Sequence, residues 1–344
     1  MAGKVREQGE KVRAFILKHV EHHGNDIAAL AAQKFDCSRQ AVNKHIRRLI
    51  EEGAIEKSGN RRLPSYRLAQ SPARLFQYPF RDRLAEDVIW TRDIRSQLEM
   101  LPGNVLSLWH YCFTEMVNNA IDHSGGKTLS IELRKTAVNT EIWIRDDGVG
   151  IFRKIQGDLD LLDERQAIFE LSKGKLTTDP ANHSGQGIFF TSRMLDKFAI
   201  LSGGLFLDHE KGNTHDRLVE REQPRAGTSV IMELGNHTAR TTRKVFDEYS
   251  SKDDEYSFNK TVVPVTLAKF GPDELVSRSQ AKRLLARVDQ FKIVVFDFKD
   301  VESIGQAFAD EIFRVFARRH PDIEMPVVHA TKQVRDMIAR AHGT

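Results

Sequence analysis

Residues 113–124, FTEMVNNAIDHS, place the strongest single constraint on what this chain can fold into, because they combine helical spacing with two faces of opposite character. At about 100° per residue, Glu115, Asn118, Asn119 and Asp122 fall on one side, while Phe113, Met116, Val117, Ala120 and Ile121 take the other. The apolar side has to be packed, so the helix belongs to a core. The polar side makes it a core helix with one wet face.

Three stretches further along punctuate the chain. EIWIRDDGVGIF (141–152) runs from alternating strand residues into an acidic, glycine-containing turn; HSGQGIFFTSRML (183–195) is a glycine loop leading into a helix; GTSVIMEL (227–234) reads as a late buried strand. Singly, such loops are common punctuation. In this order and separation, over about residues 85–236, the set resembles the GHKL family of ATP-binding proteins, which includes gyrase, mismatch-repair ATPases, histidine kinases and anti-sigma serine kinases. The residues that carry the resemblance are Glu115-x-x-x-Asn119, Asp146-x-Gly148-x-Gly150, Gly185-x-Gly187 and Gly227-Thr228, and the ExxxNAxxH form from Glu115 to His123 is similar to the anti-sigma kinase branch. A Walker-type GxxxxGK[ST] is absent from the sequence.

The resemblance implies an α/β sandwich with a Bergerat-type site for ATP and Mg²⁺. Asn119 offers an amide oxygen to the magnesium ion. Glu115, one turn earlier, would orient or deprotonate the attacking water or hydroxyl. Asp146 would accept the exocyclic amine of adenine, with a hydroxyl added by Thr228. Gly148 and Gly150 let the backbone approach the base, and Gly185 and Gly187 expose N–H groups near a helix start, where phosphate charge is favoured. The polar stretch between Phe152 and Ser184 reads as a lid, from which Lys173 and Lys175 would reach the terminal phosphates. Plainer roles stand beside these: Asn118 bonding a strand, Asp122 and His123 bracing a loop, Asp147 serving a turn, and Glu115 in a structural salt bridge.

Net charge is +4, but residues 1–74 hold 15 Lys/Arg against 8 Asp/Glu, which leaves the other 270 residues at about −3. The basic surplus is thus local. Two helical patterns (5–21 and DIAALAAQKF) precede a third in DCSRQAVNKHIRRLIEEG, capped by Ser38, with Val42, Ile46, Leu49 and Ile50 inward and Gly53 at its end. Its other face presents Arg39, Gln40, Asn43, Lys44, Arg47 and Arg48, side chains suited to base edges and phosphates. AIEKSGNRRLPSYRL then reads as a hairpin with Arg61 and Arg62 near its tip. Over residues 5–69 this order resembles winged helix-turn-helix regulators, which implies double-stranded DNA as partner and a homodimer on two half-sites; winged-helix folds also dock proteins.

Beyond the charged stretch DEYSSKDDEYSFNK, strands and helices alternate again, and over about residues 260–342 the pattern is similar to the STAS-like fold of anti-sigma factor antagonists. Ser303, the only hydroxyl near the turn KDVESIGQAF, is read as a helix cap or a phosphoacceptor. That module is expected to offer a site for a protein partner.

The expected architecture is therefore α/β multidomain: a winged helix-turn-helix (1–70), a linker (71–84), a GHKL domain (85–250) and a small STAS-like α/β domain (260–344). Without a signal-like N-terminus, a membrane-length apolar run or a cysteine framework, having only Cys37 and Cys112, the chain is expected in the cytoplasm. The expected function is an ATP- and Mg²⁺-dependent signalling or transcriptional regulator that couples the nucleotide site to the DNA-binding winged helix, with a serine/threonine protein kinase of the anti-sigma type and a non-hydrolysing ATP-binding scaffold as the alternatives; as an enzyme it is expected to be an ATP hydrolase or an ATP-dependent protein kinase.

Overall fold

The computed structural model describes residues 2–60, 63–80, 84–176, 185–211, 217–251, 254–268 and 274–343. The chain is mixed α/β and forms two compact units, one of residues 1–76, 132–142 and 234–237 and the other of residues 77–131, 143–233 and 238–344.

Three helices, Ala2–His19, Ile27–Lys34 and Arg39–Glu51, open the first unit, followed by strands β1 (Ile55–Gly59) and β2 (Pro64–Leu68). Val12, Ile16, Val20, Ile27, Ala31, Val42, Ile46 and Leu49 meet in its core, which Ile55 and its cross-strand partner Leu68 close from the hairpin. Ser38 starts the third helix by accepting from the Ala41 N–H at 3.2 Å, a cap worth about 1 kcal/mol. Asn60 folds the hairpin turn by accepting from the Leu63 N–H at 2.8 Å. The hairpin is pinned to the turn after the first helix, where Tyr66 N–H donates to the Gly24 carbonyl at 3.0 Å and Leu68 N–H to Glu21 Oε1 at 2.6 Å. Arg61 and Arg62 lie outside the described residues.

Strands β3 (Arg74–Pro79), β4 (Thr128–Lys135), β5 (Asn139–Asp146), β6 (Lys197–Glu210) and β7 (Arg217–Gly235) make a sheet in the order β3-β4-β5-β7-β6. Within the stretch 71–84 expected as a linker, residues 74–79 are an edge strand; its Tyr78 is buried and donates its hydroxyl to Asp93 at 2.7 Å. Burial alternates along β4 and β5, with Leu129, Ile131, Leu133, Thr140, Ile142 and Ile144 on the covered side.

Helix Gly103–His123 buries Val105, Leu108, Trp109, Cys112, Phe113, Met116, Val117 and Ala120. At roughly 1.5–3 kcal/mol for each large apolar side chain, this face fixes the helix's rotation and leaves Glu115, Asn118 and Asn119 only half-buried on the other side.

At the C-terminal end, Lys260–Pro264, Ile293–Asp297 and Val327–Val328 form a parallel three-stranded sheet in that order. Parallel pairing requires crossovers, and helix Arg278–Leu285, started by a Ser277/Gln280 capping box, makes the first. Ser303 does not cap the following helix: it is exposed, and Gly305 holds the N-cap of Gln306–Asp310 without a side-chain bond, so the helix starts beyond the reach of that hydroxyl. Among the described residues, no helix is long and apolar enough to cross a membrane.

Candidate functional site

A cavity of about 310 Å³ in the second unit is lined jointly by Glu115, Asn119, Asp146, Gly185, Gly187 and Thr228, six of the residues singled out from the sequence. They arrive from four places: the wet face of helix Gly103–His123, the end of β5, the start of helix Gly187–Met194 and the middle of β7. Met116, Ile144, Ile155, Ile188, Ile200 and Val230 supply apolar wall between them.

Asp146 organises one end. Its Oδ1 accepts from the N–H groups of Gly148 at 2.9 Å and Thr228 at 3.2 Å. Burial pushes this carboxyl above the usual carboxylate range, and these backbone bonds offset part of the rise. A carboxylate has about four lone-pair sites, so acceptor capacity remains for a donor in the cavity. The Thr228 hydroxyl, which also favours the ionised Asp146, accepts from the Ile151 N–H at 3.0 Å and ties β7 to the helix Ile151–Asp158. Gly227 reaches this corner at φ +76, and a Cβ there would strike the Asp146 carbonyl. Gly148 and Gly150 shape the intervening loop rather than the cavity wall; Gly148 packs on the Ser124 carbonyl so closely that a side chain has no room.

Glu115 stands over the start of helix Gly187–Met194, where a Cβ on residue 187 would collide with the Glu115 carboxylate. The Gln186 side chain does not cap that helix, and a helix N-terminus favours negative charge. Among the described residues no group of three or more His, Cys, Asp or Glu could hold a metal. Asn119, half-buried on the cavity wall, carries an amide oxygen, a neutral hard donor.

Several residues stand elsewhere than the sequence suggests. Asn118 and His123 also line the cavity, whereas Asp122 is exposed. Asp147 fastens its loop to β4: its Oδ1 accepts from Lys127 N–H at 2.6 Å and Thr128 N–H at 2.9 Å, and these bonds hold its carboxyl below the usual range. Lys175 does not line the cavity. Its ammonium donates to the Gln290 carbonyl at 2.8 Å and lies 4.7 Å from the centre of the Phe291 ring. Lys173 is 1 % exposed and donates to Glu170 and to the Ala286 carbonyl. Gly174, at φ +80, turns the chain at this point.

Lys154 and Asp158, paired at 3.0 Å, line the cavity and were missed. Their signal was available: i,i+4 spacing on a helix that begins directly after Gly150, sharing a face with Ile151 and Ile155. Lys154 supplies the Lys/Arg charge among the described lining residues, against the carboxylates of Glu115, Asp146 and Asp158.

In the first unit, Arg39, Gln40, Lys44, Arg47 and Arg48 are exposed and Asn43 is half-buried on helix Arg39–Glu51. Arg48 donates to Glu52 at 2.7 Å, and this hydrogen bond raises the guanidinium's pKa further.

Residues 280–335 match the family model described as a STAS-like domain of unknown function (DUF4325). No curated protein matches the chain. The chain is therefore a mixed α/β multidomain protein with a STAS-like domain at its C-terminal end.

Proposed function

We propose that this chain is an ATP-binding regulator, with a GHKL-type Bergerat site in its second unit and a winged helix that contacts double-stranded DNA in its first. The observation that carries the nucleotide reading is the convergence of Glu115, Asn119, Asp146, Gly185, Gly187 and Thr228 on one cavity. Asp146 recognises the exocyclic amine of adenine, and the apolar wall of Met116, Ile144 and Val230 receives the ring. The start of helix Gly187–Met194 and the Lys154 ammonium meet phosphate. Magnesium, when bound, neutralises phosphate charge and is held on the protein side by Asn119. Glu115 is placed to take a proton from an attacking water or hydroxyl.

The DNA reading rests on the exposed basic face of helix Arg39–Glu51 and the local charge surplus. Binding as a homodimer would double the phosphate contacts that a single small module makes. Nucleotide alters DNA affinity only if it binds two states of the protein unequally.

Calorimetry with MgATP on wild type, Asn119→Ala and Asp146→Ala tests the site: wild type binds, and each variant loses about tenfold or more in affinity. Equal affinities in all three proteins would end the proposal. Gel-shift titration of duplex DNA with and without saturating MgATP tests the coupling, and superimposable curves count against it.

A second reading, phosphoryl transfer to protein, draws on the exposed Ser303 in the STAS-like domain. Labelled ATP separates the two, since a kinase leaves label on protein whereas a hydrolase releases phosphate. MgATP binding without turnover above background, the same in wild type and in Glu115→Ala, points instead to a non-hydrolysing ATP-binding scaffold. STAS-like domains often mediate protein interactions, which gives the C-terminal domain a partner-binding role under either reading.

A further inference from the structure

The stretch Lys173-Gly174-Lys175 is held by residues far downstream in the sequence. Lys173 donates to the carbonyls of Ala286 at 2.7 Å and Arg283 at 3.3 Å, the C-cap and last turn of helix Arg278–Leu285. A helix C-terminus is a favourable place for a cation. The Lys173 carbonyl in turn accepts from the buried Thr261 hydroxyl at 2.6 Å. Gly174 presses on Phe258, where a Cβ would sit 2.7 Å from a ring carbon. Lys175 completes the set with its bond to the Gln290 carbonyl and its position over Phe291.

The same stretch borders the cavity. Leu171 and Leu176 on either side of it are lining residues. Phe189, also lining, has its ring centroid 4.7 Å from that of Phe258.

We propose that the C-terminal segment is a docking socket for the chain's own Lys-Gly-Lys sequence, and that by gripping Lys173-Gly174-Lys175 it sets the cavity wall made by Leu171 and Leu176. The socket consists of three backbone carbonyls and two phenylalanine rings, which suits a partner with two ammonium groups flanking a residue without a side chain. Filling the cavity and filling the socket are then linked events, each altering the affinity of the other by the same factor. The nucleotide consequence rests on the proposed ATP reading; the grip on the wall does not.

The test uses the full chain and two mild variants, Lys175→Met and Thr261→Val, whose far-ultraviolet circular dichroism should match wild type. Hydrogen exchange without nucleotide should show amides 169–176 exchanging about tenfold faster in each variant, the effect of losing one good hydrogen bond. Helix residues 115–120 should follow them, while β4 stays as in wild type. Unchanged exchange at 169–176, or a rise there that leaves 115–120 untouched, overturns the proposal. MgATP calorimetry then reads the linkage: a shift in Kd of about fivefold in both variants is expected, and an unshifted Kd refutes it. Should wild type take up no MgATP, the nucleotide reading fails, and the exchange results alone decide the socket.

Discussion

Replacing Lys173 by Met isolates one buried charge. The side chain is 1 % exposed, with its ammonium 2.8 Å from Glu170 Oε1 and 2.7 Å from the Ala286 carbonyl. Methionine keeps most of the stem but removes the ammonium from over the Phe169 ring and leaves the Glu170 carboxylate, itself 5 % exposed, without its ammonium. Breaking a buried ion pair from one side costs about 3–5 kcal/mol. Arg287, 3.8 Å from Glu170 Oε2, gives partial compensation, so a loss near the lower end, about 3 kcal/mol, is expected. That is a large part of the roughly 5–15 kcal/mol available to a folded domain. Urea unfolding followed by Trp90, Trp109 and Trp143, all in the second unit, reports it. The double variant Lys173→Met/Glu170→Leu removes both charges and should recover part of the loss, up to about 2 kcal/mol, the orphaned carbonyls keeping at least about 1 kcal/mol of it. A single variant within about 0.5 kcal/mol of wild type, or a double variant less stable than the single, would refute the pairing argument.

Other expectations follow from the cavity and the basic helix. Because burial raises the folded pKa of Asp146, the folded protein retains a proton that the unfolded chain has released; this group's contribution to stability is therefore lost as pH rises from the ordinary carboxylate value through the raised one. Adenine nucleotide affinity runs the other way, falling as pH drops through the raised value, and Asp146→Asn should flatten that dependence in a calorimetric pH series. Gly187→Ala drives a methyl into the Glu115 carboxylate and should cost about 1–3 kcal/mol in stability, with MgATP affinity reduced as Glu115 and the helix start move apart; a fully wild-type thermal melt and Kd would disprove that contact. Arg47→Gln should lower the slope of log K against log salt for duplex DNA by about one unit, whereas Arg48→Gln, whose parent residue is paired with Glu52, should lower it by less. Equal slope changes would show that the Glu52 pair does not hold Arg48 back from phosphate.

The sequence by itself determined the local elements and the chemistry they carry. A 3.6-residue period fixed the two-faced helix that bears Glu115 and Asn119, and the Ser38 cap and Gly53 bounded the basic helix, because such signals act within a few residues. It also marked Asp146, Gly185, Gly187 and Thr228 as chemically suggestive, though widely separated along the chain. Only the tertiary structure decided that these residues share one cavity, that Lys154, Asp158 and His123 join them, and that residues 74–79 pair as an edge strand. The same holds for Lys173 and Lys175: a lysine beside a glycine loop has the composition of a phosphate contact, yet both ammonium groups donate to acceptors brought up by the fold, Lys173 to the Glu170 carboxylate as well. The distant acceptors are the carbonyls of Arg283, Ala286 and Gln290. Their position depends on how the C-terminal segment packs, which no local period or cap encodes.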